Sequence, residues 1–208
     1  MATAIKKTLR ASEQDRADIV EKRSLWKEAQ KELPVERLVF LDESCAKTNM
    51  TRLRGRARHG QRLHDHAPGG RWETTTMLGS IRLGGQTACM VIEGATDSAV
   101  FREYVRQVLG PTLRPGDIVI CDNLGAHRDA EAQKLIEARG AQLRFLPPYS
   151  PDLNPIEAMW SKVKASLRAA KARTAESLLT AIQEALNSVS AKDAQGFFRH
   201  CGYMCTIY

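Results

Sequence analysis

Three acidic residues could act together in catalysis, and two of them follow apolar segments. Asp42 follows residues 38–41, and Asp122 follows residues 118–121. Both segments are typical of strands buried on both faces of a sheet, and catalytic groups of open α/β sheets collect at the carboxyl ends of such strands. If the two strands are adjacent and parallel, the carboxylates lie close together, which is costly unless a divalent cation lies between them. The alternative is that each aspartate only caps the turn after its strand.

The third acid, Glu157, stands at the start of a predicted helix that begins just after Pro155. Glutamate near a helix N-terminus complements the helix dipole, so a structural role explains Glu157 when it is taken alone. One face of this helix has Glu157 at its start and then Lys164 and Arg168. An acid followed by bases is the order expected where a nucleic-acid strand passes over a metal site, since Mg²⁺ binds carboxylates together with phosphate oxygens.

Hydrophobic periodicity and turn residues predict the elements that must position these acids. Residues 147–155 are rich in proline and are expected to form a loop. The order of elements predicts an α/β fold, a mixed β-sheet flanked by helices. The expected strands are 38–41, 74–83, 87–92, 118–121 and 143–146, and the expected helices are 13–33 (capped by Ser12), 98–109, 129–138, 156–170, 175–189 and 194–200.

The basic residues are concentrated in two segments. The chain has 208 residues, with 31 Lys and Arg against 24 Asp and Glu, so its net charge is +7. Residues 47–71 contain seven bases and one acid, and residues 157–173 contain five bases and one acid. This placement indicates a surface for a polyanion, although a solvated face is the alternative. The predicted phosphate contacts are Arg52, Arg54, Arg56, Arg58 and Arg62 in the first segment and Lys164 and Arg168 in the second.

Composition excludes several classes of protein and indicates a compartment. The five cysteines are an odd number and are scattered, so we expect no disulfide framework and a reducing cytoplasm. No apolar run approaches the ~20 residues that a membrane-spanning helix needs, so we expect no membrane partner.

Three motifs together resemble those of a known enzyme family. They are LDES at residues 41–44, CDNLGAH at 121–127 and LPPYSPDLNPIE at 146–157. The chain resembles a DDE transposase of the mariner superfamily, and the bacterial insertion-sequence branch is the closest match. The 34 residues between Asp122 and Glu157 are the spacing typical of that branch. The family usually has tryptophan where Arg56 stands.

The resemblance implies a ribonuclease-H-like fold in which Asp42, Asp122 and Glu157 bind two Mg²⁺ or Mn²⁺ ions and catalyse DNA cleavage and strand transfer. It implies DNA as the partner, both transposon inverted-repeat ends and target DNA, and a homodimer. It further implies a linker arm at residues 1–36 and a catalytic domain at 37–208. The helix-turn-helix modules of the family are not expected within these residues. Either the product of an upstream reading frame carries them, or the chain is a truncated remnant or the catalytic half alone. The expected location is the bacterial cytoplasm, at the nucleoid.

The sequence also offers three further candidate residues and two alternative functions. Asn123, His127 and Tyr149 are candidates for contacts that support the site, and His127 is as well explained by stabilisation of its own turn. One alternative function is a different ribonuclease-H-like nuclease that uses the same acids. Another is an inactive remnant of a transposase that retains only DNA binding or dimerisation.

Overall fold

The computed structural model describes residues 11–52 and 54–203, and a five-stranded mixed sheet lies at its centre. The strand order is β3-β2-β1-β4-β5. β2 pairs antiparallel with β1 and β3, while β4 pairs parallel with β1 and β5. The predicted mixed sheet is therefore confirmed. The strands are β1 (Leu38–Lys47), β2 (Thr74–Arg82), β3 (Thr87–Glu93), β4 (Ile118–Cys121) and β5 (Gln142–Phe145).

Helices cover both faces of the sheet. α2 continues directly into a π-helical turn at Val105–Leu109. Among the residues that the structure describes, no helix is both long and apolar enough to cross a membrane. The helices are α1 (Ala17–Ala29), α2 (Ser98–Tyr104), α3 (Ala130–Glu137), α4 (Pro155–Ala170), α5 (Ala175–Asn187) and α6 (Ala191–His200).

The side chains of β1 alternate between two separate hydrophobic cores. Leu38 and Phe40 pack in the core formed with α4, α5 and α6, whereas Val39 and Leu41 pack in the core formed with α2 and α3. Both faces of the strand are therefore buried, which explains its continuous apolar run. Because successive side chains point to opposite faces, Asp42 and its neighbour Glu43 face different helical layers.

The prediction that the first strand ends at Asp42 is wrong. β1 continues to Lys47 because β2 pairs with it along its whole remaining length, as far as Thr74. The parallel pairing with β4, however, stops at Phe40. Asp42 therefore lies beyond the last residue that β4 pairs with, at the point where a cleft opens next to β1.

The prediction of one helix from Glu13 to Leu33 is also wrong. Ser12–Asp15 form a separate 3-10 turn, Arg16 is extended, and α1 begins only at Ala17 with no side-chain cap. The Ser12 hydroxyl donates to the neighbouring Glu13 carboxylate (3.3 Å) and does not cap a helix. Serine favours such local hydrogen bonds, which compete with helix formation.

The last helix begins three residues earlier than its predicted start at Ala194. Ser190, directly before Ala191, and Asp193, in the first turn of α6, form a capping box in which each side chain accepts a hydrogen bond from the backbone of the other residue. This arrangement satisfies two backbone donors at the helix N-terminus and so extends the helix toward Ser190.

Candidate active site

A cleft of about 490 Å³ lies where β4 ends, and all three predicted acids line it. Asp42 comes from β1, Asp122 directly follows β4, and Glu157 lies in the first turn of α4. β1 and β4 are adjacent and parallel, which is the arrangement that the sequence argument required. The proline-rich segment 146–151 forms the opposite wall of the cleft.

Asp42 is the most deeply buried of the three acids. Its Oδ1 accepts a hydrogen bond from the Glu43 backbone N–H (2.8 Å), and its Oδ2 accepts one from Asn154 Nδ2 (3.1 Å). Burial raises the pKa of Asp42 to about 7, and the nearby charges of Glu157 and Asp122 add to the rise. The charged form of Asp42 therefore needs a compensating cation in this cleft.

Asp122, unlike Asp42, has a lowered pKa, and a buried histidine contributes to the lowering. Its Oδ1 accepts hydrogen bonds from the Leu124 backbone N–H (2.9 Å) and from His127 Nδ1 (2.8 Å). Burial opposes ionisation of Asp122, yet these hydrogen bonds keep its pKa below the usual value. Half of the Asp122 side chain stays exposed, and the residue lines the cleft.

His127 connects Asp122 to Glu43. The imidazole is completely buried, and its Nε2 lies 3.0 Å from Glu43 Oε1. Both of its carboxylate partners are acceptors when ionised, so both ring nitrogens must donate and the ring must be charged. Burial alone would lower the pKa of His127, but its hydrogen bonds, first of all that to Asp122, raise the pKa to about 12.

Glu157 is the exposed acid of the site. Partial burial of the carboxyl raises the pKa of Glu157, and the negative charge of Asp122 raises it further. The positive charge of Lys164, about two helical turns further along α4, lowers it. The residue at the N-cap of α4 is Asn154, yet its side chain does not cap the helix. Its amide group instead donates to Asp42, so the start of α4 is tied directly to β1.

The chemistry of these groups fits a hard divalent cation, although they do not converge on one point. Carboxylate and carbonyl oxygens are the ligands that Mg²⁺ and Mn²⁺ prefer. Within residues 11–52 and 54–203, no three His, Cys, Asp or Glu side chains are grouped closely enough to hold a single metal ion. Asn154 lines the cleft, and its buried Oδ1 has no hydrogen-bond partner in that same part of the chain. This amide oxygen is therefore a further candidate ligand for a cation.

Two of the candidate supporting residues have structural bonds of their own. The Asn123 amide donates to the Leu146 carbonyl and accepts from Arg128 Nη2 (2.9 Å), so it joins the ends of β4 and β5. Tyr149 lines the cleft with its side chain 45% exposed, and its backbone has a left-handed φ of 57°. Its carbonyl accepts a hydrogen bond from Gln14 Nε2 (2.6 Å).

The arginines of the first basic segment are exposed and unpaired. They belong to the segment between β1 and β2, residues 48–73, which we call the basic loop. In the part of the chain that the structure describes, their guanidinium groups form no hydrogen bond or ion pair. They are the five predicted phosphate contacts, Arg52, Arg54, Arg56, Arg58 and Arg62, together with Arg71.

The second basic segment is divided between structural and unpaired bases. Lys162 donates to the Ser188 carbonyl (2.8 Å), and Lys171 pairs with Asp65 of the basic loop (2.9 Å). The Lys171–Asp65 pair brings the basic loop against the end of α4, so the two basic segments lie side by side. Lys164 and Arg168 are half-buried and, among the described residues, form no ion pair or hydrogen bond.

Sequence reasoning missed three residues that hold this site: Glu43, Asn154 and Arg23 of α1. Glu43 had a signal, because it follows Asp42 in a strand and must point to the opposite face. Asn154 also had a signal, because asparagine is a common N-cap residue. That signal marks the start of a helix and does not indicate the bond to Asp42. Arg23 had none, because nothing in the sequence of an otherwise exposed helix indicates which partner it meets.

Comparisons with known proteins agree with the geometry. Residues 37–179, more than half of the chain, match a family described as "DDE superfamily endonuclease". The fold is similar to that of Mos1 transposase in a paired-end complex with the left transposon end (TM-score 0.70, 18% identity), over 96% of this chain and 63% of that one. A mariner Mos1 paired-end complex with Mg is similar to the same degree (TM-score 0.68, 18% identity, 97% and 63%).

A third solved structure, the isolated catalytic domain of Mos1 mariner transposase, is similar over 95% of this chain and 91% of that one (TM-score 0.55, 16% identity). No curated protein sequence matches the chain. The chain spans less than two thirds of the transposase in the DNA complexes. The ribonuclease-H-like fold and the DDE type of enzyme expected from the sequence are confirmed, and the chain belongs to the DDE superfamily of endonucleases.

Proposed function

We propose that this chain catalyses metal-dependent cleavage and strand transfer of DNA, the reactions of a transposase, with Asp42, Asp122 and Glu157 as its catalytic residues. The observation that supports the proposal most is that three acids from three separate elements line one cleft. Burial raises the pKa of two of them, Asp42 and Glu157, so a cation bound in the cleft would stabilise their charged forms.

In this proposal Asp42, Asp122 and Glu157 would together hold two Mg²⁺ or Mn²⁺ ions. When bound there, the ions would supply Lewis-acid chemistry for an in-line displacement at phosphorus, both at the attacking water or 3′-hydroxyl and at the leaving oxygen. The chain's own residues orient the ligands. His127 binds Oδ1 of Asp122 and Asn154 binds Oδ2 of Asp42, so each fixes one carboxylate oxygen.

The unpaired bases suggest a path for DNA across the molecule. Lys164 and Arg168 lie roughly 10 and 17 Å along α4 from Glu157, at about 1.5 Å per helical residue. A duplex advances ~3.4 Å per base pair, so Arg168 lies about five base pairs from the acids. The basic loop continues this surface beyond the end of α4. Contacts of this kind position DNA by its phosphates and do not read its sequence.

The test is nicking of supercoiled plasmid, together with joining of a 3′-hydroxyl oligonucleotide to that plasmid, in Mn²⁺ or Mg²⁺. We expect both activities in the wild type, their loss in EDTA, and a fall of about 10³-fold in the Asp122→Asn variant, which removes one metal-binding charge. The control is Asp18→Asn, which removes an exposed carboxylate of α1. Equal activity of wild type and Asp122→Asn would refute the assigned mechanism.

The narrower expectations from the sequence stay predictions. They are the insertion-sequence branch, the homodimer, the division into an arm at 1–36 and a catalytic domain at 37–208, helix-turn-helix modules from an upstream reading frame, and a cytoplasmic location at the nucleoid. The DNA partner has support from two of the solved structures that are similar in fold, which are paired-end complexes, one of them with the left transposon end.

A further inference from the structure

α1 contains one buried charged side chain, and that side chain reaches the wall of the cleft. Arg23 is 9% exposed, whereas most of its helix is open to solvent. Its Nη1 donates to Ser150 Oγ (2.7 Å) and Asp152 Oδ1 (2.9 Å), and its Nη2 donates to Asp152 Oδ2 (2.7 Å). Nη1 also lies 3.4 Å from the Tyr149 carbonyl oxygen. One guanidinium group therefore binds four acceptors within four consecutive residues.

The segment 147–155 needs support from elsewhere in the chain. Pro147, Pro148 and Pro151 lack backbone donors, so the part of the segment before α4 cannot join the sheet or lie inside a regular helix. Tyr149 has a left-handed backbone, which a non-glycine residue keeps only when its surroundings hold it there. Ser150 Oγ, which Arg23 binds, in turn donates to the Pro148 carbonyl (3.1 Å). Arg23 thus stabilises the turn at its most strained residue.

A second contact of α1 holds the other end of the same segment. Trp26 Nε1 donates to the Tyr203 hydroxyl (3.2 Å), and that hydroxyl donates to the Leu153 carbonyl (3.0 Å). Leu153 directly precedes Asn154, whose amide binds Asp42, and α4 with Glu157 begins at the next residue. The position of Glu157 relative to Asp42 therefore depends on a segment that α1 holds at both ends.

We propose that Arg23 is a positioning residue of the active site, which acts through Asp152 and Ser150 to hold Asn154 and Glu157 in place against Asp42. The inference rests on the proposed function, because Glu157 and Asp42 are its catalytic residues. A guanidinium fork is needed for this role, since it meets the two carboxylate oxygens and the Ser150 hydroxyl at the same time. Lysine keeps the charge but offers a single ammonium group.

The matched pair of variants is Arg23→Lys and Arg16→Lys. Arg16 is also in the N-terminal part of the chain and also forms a bidentate contact with an aspartate, Asp18 (3.1 and 3.0 Å), but this pair is exposed and does not line the cleft. The same substitution at Arg16 therefore tests the chemical change without the contact to residues 149–152. A third variant, Arg23→Asp combined with Asp152→Arg, restores the ion pair with its charges exchanged.

Three measurements on the purified full chain separate positioning from simple loss of stability. They are the Mn²⁺ affinity of the protein alone, the kcat and KM of plasmid nicking in Mn²⁺, and hydrogen exchange of the backbone at residues 149–157. For Arg23→Lys we expect faster exchange in that segment, at least a tenfold weaker Mn²⁺ affinity and a kcat about 10²-fold lower at unchanged KM. Arg16→Lys should match the wild type, and the exchanged pair should recover part of the loss.

The inference is overturned if Arg23→Lys, folded by circular dichroism, keeps both the exchange rates of residues 149–157 and the Mn²⁺ affinity of the wild type. A wild-type protein that binds Mn²⁺ but neither nicks nor joins DNA refutes the proposed reaction instead. In that case exchange and Mn²⁺ affinity in the two lysine variants still decide whether Arg23 positions the acids.

Discussion

The cleft and the basic loop contain the two main groups of charged side chains, and they differ in how the protein holds them. In the cleft, two of the three acids have fixed hydrogen-bond partners: Asn154 for Asp42 and His127 for Asp122. In the basic loop, the arginines are exposed and, as far as the structure describes them, unpaired. Asp42 and Asp122 are therefore held in position, while the arginines of the basic loop are free to bind an anion.

This difference corresponds to two physical tasks. Phosphoryl transfer needs ligands fixed within fractions of an ångström, so its carboxylates require partners that fix their orientation. Attraction of a polyanion needs only charge near its path, and an arginine already paired with an acid would contribute less of it. In the second basic segment, residues 157–173, Lys162, Lys171 and Arg173 do have internal partners and belong instead to the structure of α4 and the segments packed against it.

The largest effect is expected when acids of the cleft are removed in combination. Asp42→Asn and Glu157→Gln should each lower the nicking rate about 10³-fold, which corresponds to ~4 kcal/mol of transition-state stabilisation. The double variant should be no slower than either single one, because residues that act as one unit do not contribute additively. Nicking rates of the three variants in Mn²⁺ test this, and a double variant that is slower by the product of both effects would contradict it.

A smaller effect is expected from Glu43, which touches neither the proposed metal ions nor DNA. Glu43→Gln keeps a hydrogen-bond acceptor for His127 but removes the charge that holds the imidazole. We expect Mn²⁺ affinity and nicking to fall about tenfold, the size usual for partners of metal ligands. Calorimetric titration with Mn²⁺ measures the affinity, and Glu93→Gln at the exposed end of β3 is the control. Unchanged Mn²⁺ affinity in Glu43→Gln would show that the contact of Glu43 with His127 does not support the metal-binding residues.

The basic loop should affect binding and leave the chemical step unchanged. Replacement of Arg54, Arg56 and Arg58 by alanine should raise KM for DNA at unchanged kcat. It should also reduce the slope of log K against log salt by about 2.7, at ~0.9 per phosphate contact. The control variant loses the same amount of positive charge, but at three bases that are paired with acids. In it alanine replaces Lys31, Arg106 and Lys134. If both triple variants weaken binding equally, net charge and not the basic loop attracts the DNA.

No effect on nicking is expected at the end of the sheet opposite the cleft, where an ion pair has a structural role only. Asp117 precedes β4 and accepts a hydrogen bond from Arg82 Nη2 (2.7 Å). Burial would raise the pKa of Asp117, yet Arg82 and the Arg114 backbone N–H keep it below the usual value. Because the folded-state pKa is the lower one, this stabilisation is present above about pH 4 and is lost as the pH falls through the folded-state pKa.

Urea unfolding between pH 5 and pH 2 tests this sign. The free energy of unfolding should fall less steeply with acid in Asp117→Asn than in the wild type, by at most about 1.4 kcal/mol per pH unit for one proton. Glu131→Gln removes a carboxylate of an exposed pair with Lys134 and serves as the control. A variant with the same acid dependence as the wild type would show that Asp117 does not contribute.

Prediction from the sequence succeeded where the signal lies within a few residues of the chain. The apolar run before Asp122 predicts β4 and its carboxyl end correctly. The same argument placed Asp42 at the end of a strand and failed, because β1 is extended by its pairing with β2, whose residues lie some thirty positions later. The error did not affect the site, since the cleft opens where β4 ends and not where β1 ends.

The sequence by itself determined that acids follow apolar strands, that α4 has an acid before its bases and that positive charge is concentrated in two segments. These are local properties of spacing and composition. Only the tertiary structure decided which groups hold the acids. Glu43 meets His127 across 84 residues, Asn154 meets Asp42 across 112, and Arg23 meets Ser150 across 127. Contacts at such separations depend on how the helical layers pack on the sheet, and no local pattern encodes that packing.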